Sequence, residues 1–109
     1  MIKSLDNMTD LELINRLIEG DRIGFNQLIR KWEQKIYNFV FRYLGNKELA
    51  LDVTQKTFFR TFRNINKLKD STRFSPWIYQ IAANLCKDEL KKMKRQNIVS
   101  LDLIHVNNE

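Results

Sequence analysis

Residues 72–91 read TRFSPWIYQIAANLCKDELK, and the basic run Lys92-Met-Lys-Arg95 follows directly. The stretch predicts a helix that begins at Pro76 with Ser75 as its N-cap, because proline lacks the N–H that a first-turn residue leaves unpaired. At about 100° per residue, one side is apolar: Ile78, Ile81, Ala82 and Leu85. The other side carries an aromatic ring, two amides and two ammonium groups: Trp77, Gln80, Asn84, Lys87 and Lys91. That mixture suits bases and phosphates better than water alone.

The composition predicts one all-α domain. At 109 residues, the chain is large enough for one modest core and too short for two. It contains only three Gly and one Pro, and apolar residues recur with a helical period nearly throughout. We therefore expect a compact four-helix fold.

Positive charge is concentrated in one part of the sequence. The chain carries 19 basic and 13 acidic residues, a net charge of +6. Residues 60–95 hold 10 basic and 3 acidic residues, net +7, whereas residues 1–59 are net +1 and residues 96–109 are net −2. A nucleic-acid backbone would meet such a surplus favourably. Charge alone equally allows a solvated lysine face that keeps the protein soluble.

The residue types that carry catalysis or bind metals form no recognisable constellation. Cys86 is the only cysteine, so no internal disulfide is possible, and a reducing cytosol fits. We expect it to be a small buried hydrophobic residue. His105, the only histidine, lies in a polar tail without acidic or thiol neighbours at ligand spacing. The sequence has no Gly-rich phosphate loop, membrane-spanning stretch or cleavable signal. We predict a cytoplasmic binding protein, not an enzyme, without cofactor or metal.

Helix signals predict four helices, over about residues 10–19, 22–44, 47–63 and 76–96. The signals are N-caps at Thr9 or Asp10, Asp21 and Asn46, and helix stops at Gly20 and Gly45. Residues 64–73 are predicted to be a polar loop, and residues 97–109 show no strong pattern. We expect the apolar side of the first helix to comprise Leu11, Ile14, Leu17 and Ile18. The predicted core comprises Trp32, Ile36, Phe39, Val40, Val53, Phe58, Phe62, Ile78, Ile81 and Leu85.

The third helix has two distinct sides. Its broad apolar side comprises Ala50, Leu51, Val53, Thr54, Phe58, Phe62 and Ile65. The opposite side is a single stripe of Asp52, Gln55, Lys56, Phe59 and Arg63. An exposed phenylalanine among polar groups is typical of a protein-docking surface. The alternative is that Phe59 belongs to the core and that the charges are ordinary surface.

These features together resemble region 2 of a bacterial sigma factor of the extracytoplasmic-function (ECF) group. Four pieces carry the resemblance in order: Asp21-Arg-Ile-Gly-Phe-Asn-Gln-Leu-Ile29, Ile36-Tyr37 to Tyr43-Leu-Gly45, Asp52-Val-Thr-Gln55 with Phe58 to Phe62, and Phe74-Ser-Pro-Trp-Ile-Tyr-Gln-Ile-Ala-Ala-Asn-Leu85 with its basic end. The resemblance covers about residues 10–96. Each piece alone is a weak signal, and their order and spacing make the signal specific.

The resemblance implies two binding surfaces. In the family, the helix with the Asp-x-x-Gln motif docks on the coiled coil of the β′ subunit of RNA polymerase. Here that surface is Asp52, Gln55, Phe59 and Arg63. In the family, the next loop and helix capture the non-template strand of the minus-ten promoter element while the duplex opens. The corresponding residues here are Lys67, Lys69, Arg73, Phe74, Trp77, Gln80, Asn84, Lys87 and Lys91. An anti-sigma factor is a further partner that the resemblance suggests.

The chain departs from the family pattern in two ways. Family members usually carry an acid just before Asp52 and a glutamate just after Gln55, where this chain has Leu51 and Lys56. The docking helix is therefore less acidic than usual. The family's second domain, a helix-turn-helix that reads the minus-thirty-five element, is absent from the sequence. We expect residues 1–96 to be the region 2 domain and residues 97–109 to begin a linker of a longer protein, in preference to a protein of region 2 alone.

Two other functions compete with the sigma hypothesis. A helical adaptor that binds only protein would use the same docking surface, and its basic end would serve solubility. Trp77, Gln80 and Asn84 on one cationic face argue against it, because an adaptor needs no such set. A small helical enzyme would require an acid/base or nucleophile pair, which the sequence lacks.

Overall fold

The computed structural model describes the backbone of residues 7–107 and the side chains of residues 7–97. Four α-helices follow one another: α1 (Asp10–Ile18), α2 (Arg22–Leu44), α3 (Lys47–Asn64) and α4 (Phe74–Asn107). Two 3-10 turns, Ile65–Lys67 and Ser71–Arg73, connect α3 to α4. Within these described residues there is no strand, and the prediction of a four-helix, all-α fold is confirmed.

Local capping chemistry sets the first three helices. The Thr9 hydroxyl accepts the Glu12 N–H at 3.2 Å, and the Asp21 carboxylate accepts the Ile23 N–H at 2.9 Å. The Asn46 side chain accepts the Leu49 N–H at 3.0 Å. Each bond satisfies an N–H that the helix itself leaves unpaired. The predicted bounds of α2 are confirmed, and Gly45 ends it in the left-handed region at φ 65°.

The start of α4 differs from the prediction. The helix begins at Phe74, so Ser75 lies inside the first turn and is not the N-cap. The cause is Asp70, whose carboxylate accepts the Thr72 N–H at 3.0 Å and opens a 3-10 turn that runs directly into the helix. Pro76 still stands in the first turn, where its missing N–H leaves no hydrogen bond unmade.

The far end of α4 also differs from the prediction. The helix continues to Asn107, beyond the expected end near Gln96. At about 1.5 Å per residue its 34 residues measure about 51 Å. That residues 97–109 begin a linker stays a prediction. The side chain of His105 lies outside the described residues.

The core forms where α1, α3 and α4 pack against α2. Seven of the ten predicted core residues are buried: Trp32, Ile36, Val40, Val53, Phe58, Ile78 and Leu85. Phe39 and Ile81 are partly buried, whereas Phe62 is 46% exposed and was wrongly assigned to the core. On α1 the buried side passes through Leu13, Ile14 and Leu17, and Leu11 and Ile18 are exposed. This short helix packs only one narrow side on α2, so the flanking positions stay in solvent.

An ion pair and a hydrogen bond fix α1 on α2. The Lys31 ammonium lies 3.0 Å from Asp10 Oδ1 and also donates to the Met8 carbonyl at 3.0 Å. The indole N–H of Trp32 donates to Asp10 Oδ2 at 3.2 Å. The Trp32 ring in turn meets the Phe74 ring edge-on, with centroids 5.6 Å apart. One buried tryptophan therefore joins α1, α2 and the first turn of α4.

Candidate functional site

The outward side of α3 carries the predicted docking stripe. Asp52, Gln55, Phe59 and Arg63 are all exposed, together with Lys56. Phe59 is 66% exposed, the largest value among the exposed large hydrophobic residues of the described range. The alternative that Phe59 belongs to the core is therefore excluded.

Lys56 forms an ion pair with the carboxylate of Asp52. Its ammonium lies 2.9 Å from Asp52 Oδ2, across one helical turn, and both side chains are about half exposed. The hydrogen bond to Asp52 and the charge of that carboxylate raise the pKa of Lys56, and the Glu89 carboxylate on α4 adds to the rise. Lys56 therefore remains a cation between an acid on its own helix and an acid on α4.

An apolar groove runs between α2 and α3 beside the stripe. It has a volume of about 550 Å³. Its walls are formed by Phe25, Ile29, Glu33, Gln34, Tyr37, Leu51, Thr54, Gln55, Phe58, Phe59 and Phe62. Leu51 is 56% exposed, and the ring of the half-exposed Phe62 lies 4.8 Å from that of Phe25. The groove joins the polar stripe to a much larger apolar surface than the stripe alone provides.

Buried threonines explain why the sequence did not reveal this groove. Thr54, Thr57 and Thr61 occupy the inward positions of α3. Each hydroxyl donates to the carbonyl four residues earlier, at 2.6, 2.7 and 2.7 Å, so burial leaves no donor unpaired. Because polar residue types take the inward side, Leu51 and Phe62 are left on a flank that α2 covers only in part. The prediction that these two belong to the buried face is wrong.

The residues predicted for the nucleic-acid face lie on one side of α4, and their role stays a prediction. Gln80, Asn84, Lys87 and Lys91 are exposed, and Gln80 Nε2 donates to Asn84 Oδ1 at 3.0 Å. Trp77 is partly buried and packs against the core. An aromatic ring, two amides and two cations therefore share one surface. The arrangement offers stacking, hydrogen bonding and charge together.

Phe74 is a correction to the predicted set. Its side chain is only 2% exposed and packs between the rings of Trp32 and Trp77, with centroid distances of 5.6 and 6.1 Å. A ring buried in this way has no free face for a ligand. Phe74 instead fixes the position of Trp77 and of the helix start.

The loop before α4 completes the second surface. Lys67, Lys69 and Arg73 are exposed around an open hollow of about 450 Å³. Trp77 and Gln80 also line this hollow. Two hydrogen bonds from Thr72 lower the pKa of Asp70. The larger effect comes from the Thr72 hydroxyl and the smaller from its backbone N–H. Asp70 therefore stays ionised; it lines the same hollow and lies 3.8 Å from Arg73 Nε, so the hollow carries three cations and one carboxylate.

The described residues offer little else for chemistry. Among the side chains of residues 7–97, no group of three or more His, Cys, Asp or Glu is placed to bind a metal ion. No helix in the described range is long and apolar enough to span a membrane. Cys86 is buried, as predicted, and burial raises the pKa of its thiol. A thiol in that state is a poor nucleophile.

Comparisons with known proteins agree with this architecture. The chain is 36% identical over 81 residues to the ECF RNA polymerase sigma factor SigW of Bacillus subtilis, covering 74% of this chain and 43% of the relative. It is 30% identical over 91 residues to the ECF RNA polymerase sigma-E factor of Haemophilus influenzae, covering 84% of this chain and 48% of the relative. The chain thus spans about half the length of these relatives.

A solved structure matches the fold. The NMR structure of an engineered region 2 of sigmaE in complex with GTAAAA superposes with a TM-score of 0.74 at 33% identity, covering 82% of this chain and 93% of that chain. Residues 28–96, more than half of the chain, match the family described as Sigma-70 region 2. Because this family model covers more than half of the chain and the fold superposes on a solved region 2, the chain belongs to the Sigma-70 region 2 family.

Proposed function

We propose that this chain is the part of an ECF sigma factor that docks on the RNA polymerase core and opens the minus-ten promoter element. The observation that carries the proposal is the single surface formed by the loop hollow and α4. Trp77 and Gln80 line the hollow with the three loop cations, and Asn84, Lys87 and Lys91 continue the exposed face along α4. The relatives named as ECF sigma factors, and the solved region 2 bound to GTAAAA, support it.

The proposed mechanism is physical and involves no covalent step. Extruding a base from a duplex costs roughly a few kcal/mol, which a protein pocket and cations at the strand backbone offset. The hollow between Trp77 and the loop would receive the extruded base. Gln80 and Asn84 would contact base edges, because amides both donate and accept. Lys87 and Lys91 would follow the phosphates of the non-template strand.

Docking would use α3 and the apolar groove. An exposed carboxylate such as Asp52 forms charge-assisted hydrogen bonds with a partner guanidinium. Phe59, Leu51 and Phe62 provide apolar anchors beside it. The β′ coiled coil of the polymerase is the partner that family membership implies. An anti-sigma factor would inhibit by covering the same groove.

The decisive experiment is promoter opening by reconstituted holoenzyme. A chain carrying Trp77→Ala, Asn84→Ala and Lys87→Ala should still join the polymerase but should open the promoter poorly. The control is Arg42→Ala, which removes one exposed cation from the last turn of α2, outside both candidate surfaces. Normal opening by the triple variant would remove the DNA role from α4 and leave the adaptor hypothesis.

Single variants separate the electrostatic contribution to DNA binding from the sequence-specific contribution. Lys87→Ala or Lys91→Ala should weaken binding to all sequences. Each lost phosphate contact on a single strand should also reduce the slope of log K against log salt concentration by about 0.7. Asn84→Ala should instead reduce discrimination between minus-ten sequences, with little change in salt dependence. A lysine variant with unchanged salt dependence would contradict the assignment of that lysine to a phosphate.

A further inference from the structure

The apolar groove does not stop at Phe62. A second depression of about 350 Å³, the end hollow, adjoins it where α1, α2 and α3 meet. Its walls are formed by Leu17, Ile18, Gly20, Arg22, Phe62, Arg63, Ile65 and Asn66. Phe62 lines both cavities, and Ile18 and Phe62 are each 46% exposed. The groove and the end hollow therefore share a wall at Phe62 and together form one surface from Leu51 to the α1 corner.

The charges at the two ends of this surface are opposite in sign. Towards the Leu51 end, Glu33 lines the groove, and the exposed Asp52 on the neighbouring stripe is paired with Lys56. At the other end, Arg22 and Arg63 flank the end hollow. In the part of the chain whose side chains are described, neither arginine has an acidic group within ion-pair distance. Two free guanidiniums beside an exposed apolar hollow favour a carboxylate next to an apolar side chain.

The dimensions favour a helix as the occupant. From Leu51 to Phe62 is eleven residues along α3, about 16 Å, which equals about three helical turns. A groove between two packed helices accepts the apolar face of a third, with anchors at intervals of three and four residues. The end hollow adds room for one more turn.

We propose that the end hollow is a second anchor of the docking site, which receives an apolar and an acidic side chain from one end of a helix of the polymerase coiled coil. This inference rests on the docking role proposed above. A cationic residue at the other end of the same partner helix meets Glu33 and competes with Lys56 for Asp52. The opposite charges at the two ends then fix the direction in which the partner helix lies, since the reversed direction brings like charges together.

Arg22→Glu is the sharpest test, because its effects on folding and docking have opposite signs. Arg22 is the first residue of α2, where an acidic side chain interacts favourably with the helix dipole. The variant should keep or raise the melting temperature. Affinity for the polymerase core should nevertheless fall about threefold, and about tenfold for Arg22→Glu with Arg63→Glu, with most of the loss removed by high salt.

The control is Arg42→Glu, which makes the same charge change at the other end of α2 and should leave affinity within twofold. Asp52→Lys reports on the proposed docking role itself. If Asp52→Lys weakens docking and Arg22→Glu does not, the end hollow is not an anchor and the proposed function stands. Absence of docking by the unmodified chain would overturn both the proposed docking role and the assignment of the end hollow as an anchor. A concentration-dependent dimer that Ile18→Ser disrupts would assign the hollow to a second copy of this chain.

Discussion

The contact between Lys56 and Asp52 should weaken docking, and its removal should strengthen it. The Lys56 ammonium lies 2.9 Å from Asp52 Oδ2. A partner guanidinium that approaches Asp52 must displace Lys56 or share the carboxylate with it. We therefore expect Lys56→Met to raise the affinity for the polymerase core.

The magnitude follows from the exposure of the pair. The two side chains are 50% and 51% exposed, and the residues are four apart on one helix. Pairs of this kind contribute about 0.3–0.5 kcal/mol, which corresponds to about twofold in an equilibrium constant. The same variant should lower the free energy of unfolding by no more than that amount. Docking would thus tighten slightly while the free domain becomes slightly less stable.

A double-mutant cycle tests the reasoning. Affinity is measured by titrating labelled chain with polymerase core at low and high salt, for Lys56→Met, Asp52→Asn and the pair. The gain from Lys56→Met should vanish in the Asp52→Asn background and shrink at high salt. Lys47→Met, on the first turn of the same helix, controls for the loss of a positive charge. An equal gain with and without the Asp52 carboxylate would refute competition for that group.

Three further outcomes concern the scaffold. Gly24→Ala should destabilise by about 1 kcal/mol despite a better helix propensity, because the new Cβ would lie 3.0 Å from both Arg16 Cβ and the Leu13 carbonyl; a melting temperature equal to that of the parent would show that α1 yields freely. Phe74→Ala should cost about 3–5 kcal/mol and Phe62→Ala much less, since only Phe74 is buried, and equal losses in denaturant titrations would contradict these burials. Cys86 should react with thiol reagents only upon unfolding, and rapid labelling of the folded chain would contradict its burial. Because its pKa in the folded chain is raised above the ordinary 9.0, the free energy of unfolding should fall as the pH rises past that value.

The sequence predicted best what short-range chemistry determines. The bounds of α2 depend on Asp21 at one end and Gly45 at the other, and both act within one turn. The start of α4 was missed because Asp70 organises a 3-10 turn that precedes the helix without a break. Ser75 and Pro76 also fit the first turn of a helix that begins at Phe74. These two residues therefore could not distinguish that start from the predicted start at Pro76.

The candidate site was predicted in its polar part and missed in its apolar part. The exposed stripe on α3 follows from helical spacing alone, so Phe59 could be placed beside Asp52 and Arg63. The groove depends on which part of α3 the packing of α2 and α4 leaves uncovered, which is a tertiary property. Thr57 and Thr61 concealed it, because their hydroxyls bond within the helix and permit burial of a residue type that reads as polar.

The two candidate surfaces share one internal support. On the α4 side, Trp77 packs on Phe74, and Phe74 packs on Trp32. Trp32 donates to Asp10 at the start of α1, the helix that ends at Ile18 beside the end hollow. A change at Trp32 should therefore disturb docking and promoter opening together. Substitutions at exposed positions such as Arg22 and Asn84 should disturb only one of the two. Loss of both activities in proportion thus indicates a folding defect, and loss of one alone locates a contact.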